Sequence, residues 1–453
     1  MRKLFANERV NRYNTLLDEE GLSLATNGHT TSQNTGEHSK INICICTHIW
    51  LGLYHGGVDR IENFARNVSK NGVNVYLVDR STKKSLSALI LDSDKYYAIE
   101  NGRSSERYYP FYGRFLFPGI LKFLQWTLNL WFSLLTRTTI SEVSYSYLID
   151  PYLLVKLFFI CKKERIDLIQ CELPFPIFSS LIVKKIIGIP LIYDAHGVES
   201  ERIGTMANVN KLHVGIMKKI EIMSCKICDS VFVVSESDRD RLLTWGVPGE
   251  KVTTIPNSVE SDKFSPAIDG SRIRAKYGLS SSAFVMVFHG YFGYHPNREA
   301  AQILLDLFPS FLEKHDLFLL LIGRSPPITV YPNVITTGFV ENIPEYIAAA
   351  DLAVVPLLSG GGTKLKMLQY MACGKAIVST VKAAEGLDLE NETDILMCRY
   401  PGAEFTNLVL RAIEDSSLRK KMGINARKKV EEHYDWNQNA KKAVSIYRNL
   451  VCN

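Results

Sequence analysis

The stretch from Asp351 to Leu387, DLAVVPLLSGGGTKLKMLQYMACGKAIVSTVKAAEGL, restricts the fold more than any other. Leu352 to Leu357 is a continuous apolar run of strand length, the pattern of a strand covered on both faces in a parallel sheet. It stops at Ser359, and Gly360, Gly361 and Gly362 follow. A helix is expected next, with Leu365, Leu368 and Ala372 at i, i+3 and i+7, Thr363 placed to cap its start and Gly374 to end it. Ala376 to Ser379 then completes a strand, helix, strand unit. Glycines at a strand-to-helix turn let backbone N–H groups approach a ligand, and the positive end of the helix dipole favours an anion such as phosphate. Lys364 and Lys366 fall in the predicted first turn, where a cation is disfavoured by about 0.3–1 kcal/mol unless an anion sits there too. The competing reading is a flexible glycine turn with solvated lysines. The whole pattern favours the anion site.

A chain of 453 residues is too long for one ordinary core, and two domains are expected. The net charge of +6 is mild, compatible with anionic substrates or an anionic membrane surface, and gives no footprint for nucleic acid. Met1-Arg2-Lys3 leads into polar sequence with no apolar signal-peptide core. The nine cysteines are scattered in apolar contexts such as Cys44, Cys46 and Cys373, which reads as reduced core cysteine in a cytoplasmic protein. Cys225 and Cys228 form a CxxC without a second ligand pair, so no zinc site is expected.

Residues 1–40 are polar and read as a poorly ordered extension. Ile41 opens a strand, Gly52 to Asp59 is expected as a loop holding Gly56-Gly57, a helix runs from about Val58 to Ser69, and Val73 to Val78 is a strand. The same unit thus stands at the front of the chain and at the back, which predicts an α/β fold of two Rossmann-like domains. Phe111 to Leu135 is aromatic and apolar, its later polar residues Lys122, Gln125, Asn129 and Ser133 forming one narrow helical stripe. It is too interrupted for a membrane span. It reads either as an interfacial helix making peripheral contact with the inner face of a membrane or as a buried helix on the first sheet. Strands and helices then alternate, among them expected helices from Ile177 to Ile187 and over 299–313 and a strand from Leu317 to Ile322, to the C terminus, which ends in an amphipathic helix. The expected domains are 41–262, with an apolar aromatic insertion near 111–160, then 263–426, then the terminal helix 427–453.

Several strings, in this order and spacing, carry a family resemblance: GGVDRIENFARNVSKNGVNV, YDAHGVESER, VFVVSESDRDRL followed by IPNSV, FHGYFGYHPNREAAQILL, TGFVENIPEYIAAADLAVVPL and GGGTKLKMLQYMACGKAIVST. With them the chain resembles the GT-B glycosyltransferases of family four, the retaining nucleotide-sugar transferases, over most of residues 41–450. The resemblance implies two domains facing across a cleft, a second domain that binds the nucleotide sugar, a first that binds the acceptor, and a terminal helix that crosses back. It implies a transfer of a hexose-type sugar to a hydroxyl of a glycan or lipid-linked saccharide, with the nucleotide diphosphate sugar as substrate and no cofactor or metal.

Carried over by position, His196 approaches the transferred sugar, and Lys364 and Lys366 hold the diphosphate. Donor contacts are implied for Gly56, Gly57, Gly290, Arg298, Gly338, Phe339, Val340, Gly360, Gly361, Gly362, Thr363, Leu365 and Gln369. Two departures stand out. Where the family commonly has two acidic residues, this chain has Gly361 and Gln369; glutamine still hydrogen-bonds ribose hydroxyls, without the charge-assisted bond of a carboxylate. Tyr291 replaces a frequent arginine, and a later lysine falls near Asn297 or Arg298. Asp92-Ser93-Asp94 matches a DxD metal motif in letters, but lies in a polar connection after a first-domain strand, so metal is not expected there. A nucleotide-sugar epimerase of the same fold and a non-catalytic GT-B binding protein are the alternatives. A dinucleotide oxidoreductase is disfavoured, because the first glycine loop lacks the GxGxxG spacing.

Overall fold

The computed structural model describes residues 40–48, 56–79, 95–108, 127, 130, 150–204, 211–312, 317–360 and 362–452. The readings made for residues 1–39, for Asp92-Ser93-Asp94, for the aromatic segment 111–135 apart from Thr127 and Leu130, and for Gly361 lie outside the described residues.

The described residues form two sheets. The first comprises β1 (Ile41–Thr47), β2 (Val73–Val78), β3 (Lys95–Glu100), β4 (Arg103–Tyr108), β5 (Leu168–Glu172), β6 (Leu191–Ala195), β7 (Ser230–Val233) and β8 (Val252–Thr254), in the order 4-3-2-1-5-6-7-8. Its central strands run parallel and are almost wholly apolar and buried, as strands covered by helices on both faces must be. At one edge β3 and β4 form an antiparallel hairpin on β2. Its turn is Asn101-Gly102, both with positive φ (51° and 80°), the pairing that a two-residue hairpin turn demands. The second sheet comprises β9 (Phe284–His289), β10 (Leu317–Ile322), β11 (Val334–Gly338), β12 (Leu352–Val355), β13 (Ala376–Thr380) and β14 (Leu396–Cys398), all parallel, in the order 11-10-9-12-13-14. The expected pair of Rossmann-like domains is present.

The terminal helix, Trp436–Cys452, leaves the second domain and buries Trp436, Ala440, Ala443, Val444 and Tyr447 against Val58, Phe64 and Phe232 of the first. The preceding helix, Ser416–His433, buries Met422, Ala426 and Val430 in the second domain's core. Trp436 N–H donates to the Val259 carbonyl and the Val259 N–H to Tyr434, which fixes the crossing point. The chain therefore returns to the first domain as the resemblance implied.

Local boundaries differ from the sequence reading, first at the terminal helix, which begins at Trp436 and not at 427 because Ser416–His433 is a separate helix of the second domain. Gly56 and Gly57 open the helix Gly56–Lys70 instead of lying in a loop before it. The helix after β9 starts at His295, four residues before the expected 299, because Pro296 sits in its first turn, where a missing N–H costs nothing. Thr363 does not cap the helix after β12. That helix is Leu365–Ala372, its N-cap is Lys364 with extended φ and ψ, and no side chain caps it. The lysine ammonium is drawn back onto the Gly360 and Gly362 carbonyls, which holds the loop open for one residue longer than the sequence suggested. Gly374 follows the helix in the left-handed conformation, φ +64°, as expected.

Among the described residues, no helix is long and apolar enough to cross a membrane. Trp436 is 1% exposed and packs edge-on to Phe64 with ring centroids 6.0 Å apart. Trp436→Ala is expected to cost about 3–5 kcal/mol by loss of burial and cavity formation; urea unfolding that shows less than about 1 kcal/mol would mean the terminal helix does not anchor the first domain.

Candidate functional site

Each sheet has one place where neighbouring strands send their connections in opposite directions, between β1 and β5 in the first and between β9 and β12 in the second. In open parallel sheets the crevice at the carboxyl ends of such strands is the natural ligand site, because the two loops diverge and leave a gap. The sequence-predicted residues gather at these two places.

In the second domain, β9 ends at His289 and turns at Gly290, while β12 leads to Gly360, Gly362 and the helix Leu365–Ala372. The β9 and β10 ends meet so closely that a Cβ on Gly323, whose φ is +140°, would stand 1.8 Å from the Gly290 carbonyl oxygen; no other residue fits there. A Cβ on Gly290 would in turn press on Asn297 at 2.7 Å and on the Lys366 ammonium at 3.0 Å. Lys366 Nζ donates to Asn297 Oδ1 at 2.7 Å and lies 4.1 Å from the centre of the Phe288 ring. Lys364 Nζ donates to Gly362 O at 2.7 Å and Gly360 O at 3.2 Å, with Glu385 at 3.6 Å.

Two cations side by side near an uncapped helix N-terminus are a poor arrangement by themselves. Burial pushes Lys364 down to about 8 despite Glu385. Burial, reinforced by Lys364, pushes Lys366 down to about 7. The first backbone N–H groups of the helix receive no side-chain cap. Amides and ammoniums together await negative charge.

Gln369 is oriented by a buried neighbour that the sequence did not disclose. His289 is held neutral, its pKa pushed down to about 3 by burial and by Lys366. Its Nδ1 lies 2.7 Å from the Tyr370 hydroxyl and its Nε2 2.7 Å from Gln369 Oε1. An amide oxygen only accepts, so the ring hydrogen is on Nε2 and the tyrosine donates to Nδ1. The Gln369 NH2 is thereby turned away from His289. Gly338 ends β11 and its carbonyl accepts the Gly323 N–H at 2.9 Å; Phe339 beside it is exposed and stacks under Arg324 at 4.6 Å. Val340 and Leu365 are partly buried, and Thr363 Oγ1 lies 2.8 Å from where a Cβ on Gly386 would be. Arg298 is exposed in the first turn of the helix His295–Leu312, while its neighbour Asn297 is the one that holds Lys366.

In the first domain, His196 follows β6, and Glu172 ends β5 beside it. His196 Nε2 lies 2.5 Å from Glu172 Oε2. Asp194, two residues before the histidine, receives both oxygens' bonds from Arg60 at 3.1 and 3.2 Å, and Arg60 also donates to Ile255 O and Asn257 Oδ1. Burial pushes Glu172 up to about 7 and His196 down to about 4. Glu172, Asp194 and His196 each offer one ligand atom within 4.8 Å of the others, a set that could in principle hold a cation. Here Arg60 already neutralises Asp194, and the short Glu172–His196 contact is a shared hydrogen bond, so the group is paired internally. Gly57 is partly buried at the start of the helix that carries Arg60.

The two groups stand on separate domains. The domains come within electrostatic reach at Asp238, whose carboxyl is raised by burial and also by Glu201 and by Glu385, the latter being the partner of Lys364. Sequence reasoning missed Glu172, Arg60 and His289. Their positions in apolar strands or on an amphipathic helix gave no local signal, because only strand pairing brings them to the site.

Residues 283–415 match the family described as Glycosyl transferases group 1, and residues 136–263 match Glycosyltransferase Family 4. The UDP-Gal:alpha-D-GlcNAc-diphosphoundecaprenol alpha-1,3-galactosyltransferase of Escherichia coli is 25% identical over 326 residues, 67% of this chain and 81% of that protein. Sucrose-phosphate synthase from Thermosynechococcus elongatus superposes with a TM-score of 0.66 at 17% identity, over 91% of this chain and all of that one. HepE of Anabaena, solved in complex with UDP, gives 0.61 at 15%, over 90% of this chain and all of that one. With two family matches falling one on each domain and this architecture, the chain belongs to the group 1 glycosyltransferases of the GT-B fold.

Proposed function

We propose that this glycosyltransferase moves a hexose-type sugar from a nucleoside diphosphate sugar to a hydroxyl of a glycan or lipid-linked saccharide, with retention of anomeric configuration and without a metal ion. The observation that carries the reading is the cradle at the β9/β12 switch point, where Lys364, Lys366 and uncapped helix amides converge. HepE has been solved with UDP and with UDP-glucose, and the E. coli relative is by its name a transferase from UDP-Gal to a diphosphoundecaprenol-linked acceptor; both support a uridine diphosphate sugar as donor.

A nucleoside diphosphate is already a good leaving group, so the protein needs chiefly to stabilise the charge that builds up on it. One preorganised donor aimed at such charge contributes about 2.7–4 kcal/mol. Lys366 is held by Asn297 and lies against Phe288. Lys364 is clamped on the loop carbonyls beside it. For retention, the acceptor hydroxyl attacks from the side of the leaving diphosphate, and a diphosphate oxygen takes its proton. His196, neutral and fixed by Glu172, orients the sugar instead of serving as an obligatory base. The Gln369 NH2, turned outward by His289, supplies a hydrogen-bond donor to the nucleotide where a carboxylate would accept.

Lys364→Ala or Lys366→Ala is expected to lower turnover at least about tenfold; wild-type rates in both variants would overturn this account. A bound diphosphate favours the charged ammonium, so it raises the pKa of Lys366 from about 7 and of Lys364 from about 8. Donor binding should therefore take up protons between about pH 7 and 9, and affinity should fall as pH rises through that window. Calorimetry in buffers of different ionisation enthalpy measures the uptake; its persistence in Lys366→Met and Lys364→Met would remove the lysines from the site. A thermal-shift screen of nucleoside diphosphate sugars identifies the donor, since a ligand that binds only the folded state raises the melting temperature.

A further inference from the structure

Gln170 on β5 is fully buried and has three polar neighbours, one of them from the far end of the chain. The Tyr447 hydroxyl, on the terminal helix, donates to Gln170 Oε1 at 2.5 Å. That fixes the amide, because its NH2 then points the other way, to Glu172 Oε1 at 2.7 Å and Asp194 Oδ2 at 3.3 Å. Glu172 uses its second oxygen on His196 Nε2. Tyr447 and Gln170 are both 0% exposed. We propose that Tyr447 is a positioning residue for His196: through Gln170 it aims an N–H at Glu172 and so decides which ring nitrogen of His196 carries the hydrogen.

The chemistry follows from the short Glu172–His196 contact, which holds one hydrogen. When Glu172 is ionised, Nε2 bears the hydrogen and donates it. When Glu172 is protonated, its O–H donates to Nε2 and the ring adopts the Nδ1–H tautomer. A hydrogen bond given to a carboxylate favours its charged form. Burial raises Glu172 to about 7, while the Gln170 bond, and then Arg60, pull it back. The Gln170 N–H, 2.7 Å from Glu172 Oε1, therefore weighs on whether the hydrogen of the Glu172–His196 contact sits on the carboxylate or on Nε2. The other charged groups around His196 are Asp194 and Glu199, which favour its protonation, and Arg60, which opposes it; of these, Asp194 also accepts from the Gln170 amide.

The relay also ties the histidine to the second domain. The terminal helix continues from Ser416–His433, which is embedded in the second domain's core, so the first-domain site is complete only once the last helix of the chain has docked.

This proposal rests on the reading that His196 faces the transferred sugar, and the test separates the two. The probe is the nitrogen spectrum of the full-length protein labelled with 15N-histidine, with His196→Gln to assign the signal. In the wild type the Nε2–H tautomer is expected above about pH 7. In Tyr447→Phe the Nδ1–H tautomer should persist about one pH unit higher, and turnover at neutral pH should fall up to about tenfold and recover as pH rises, with the donor KM unchanged. Gln170→Met interrupts the relay while leaving every residue of the terminal helix in place and should give the same spectral shift. An unchanged His196 tautomer profile in both variants overturns the relay. A shifted profile together with full activity in His196→Gln upholds the relay and removes His196 from the transfer.

Discussion

The pairing of Arg60 with Asp194 holds the first domain's functional end together. Both are essentially buried, at 2% and 1% exposure. A buried pair of this kind adds little net stability, yet removing one partner leaves an uncompensated charge and costs about 3–5 kcal/mol. Its importance is in what it connects. Arg60 projects from the helix after β1, Asp194 lies on β6, Ile255 and Asn257 follow β8, and the guanidinium lies 5.9 Å from the Trp436 ring at the start of the terminal helix. Four segments far apart in sequence are thus locked at one point. His196, two residues beyond Asp194, inherits its position from that lock.

The second domain solves a different problem. It keeps two lysines close together without a carboxylate bridging them, using Asn297 and backbone carbonyls to accept from the ammoniums. The cost is seen in their lowered pKa values, and a ligand bearing two negative phosphates would relieve it. The close approach of Gly323 to Gly290 sets the depth of this cradle. Gln369 is accommodated by His289, which, kept neutral by burial, gives it a hydrogen bond that an ionised histidine would give equally but at a large desolvation cost.

Much of the architecture was legible because parallel strands buried on both faces leave an unmistakable apolar run. Ile177–Ile187 and Leu317–Ile322 agree with the expected bounds to the residue, and most other elements agree to within one or two. The edge hairpin went unread although Asn101-Gly102 is its direct signal, since it sits beside a long polar stretch that reads as connection. The cap assigned to Thr363 failed because helical periodicity does not register where a lysine is drawn back onto the preceding loop.

The sequence by itself determined the two-domain α/β plan, the glycine and lysine cluster after β12, and the family. Those features are local: periodicity, turn residues and motif spacing act over a few residues and need no knowledge of partners. Only the tertiary structure decided that Glu172 stands against His196, that Arg60 neutralises Asp194, that His289 turns Gln369, and that Tyr447 reaches Gln170 from 277 positions away. Each of these is a polar side chain in an apolar surrounding, where it must find a partner or cost several kcal/mol. Which partner it finds depends on strand order and on where the terminal helix docks, and neither is written in any short stretch of the chain.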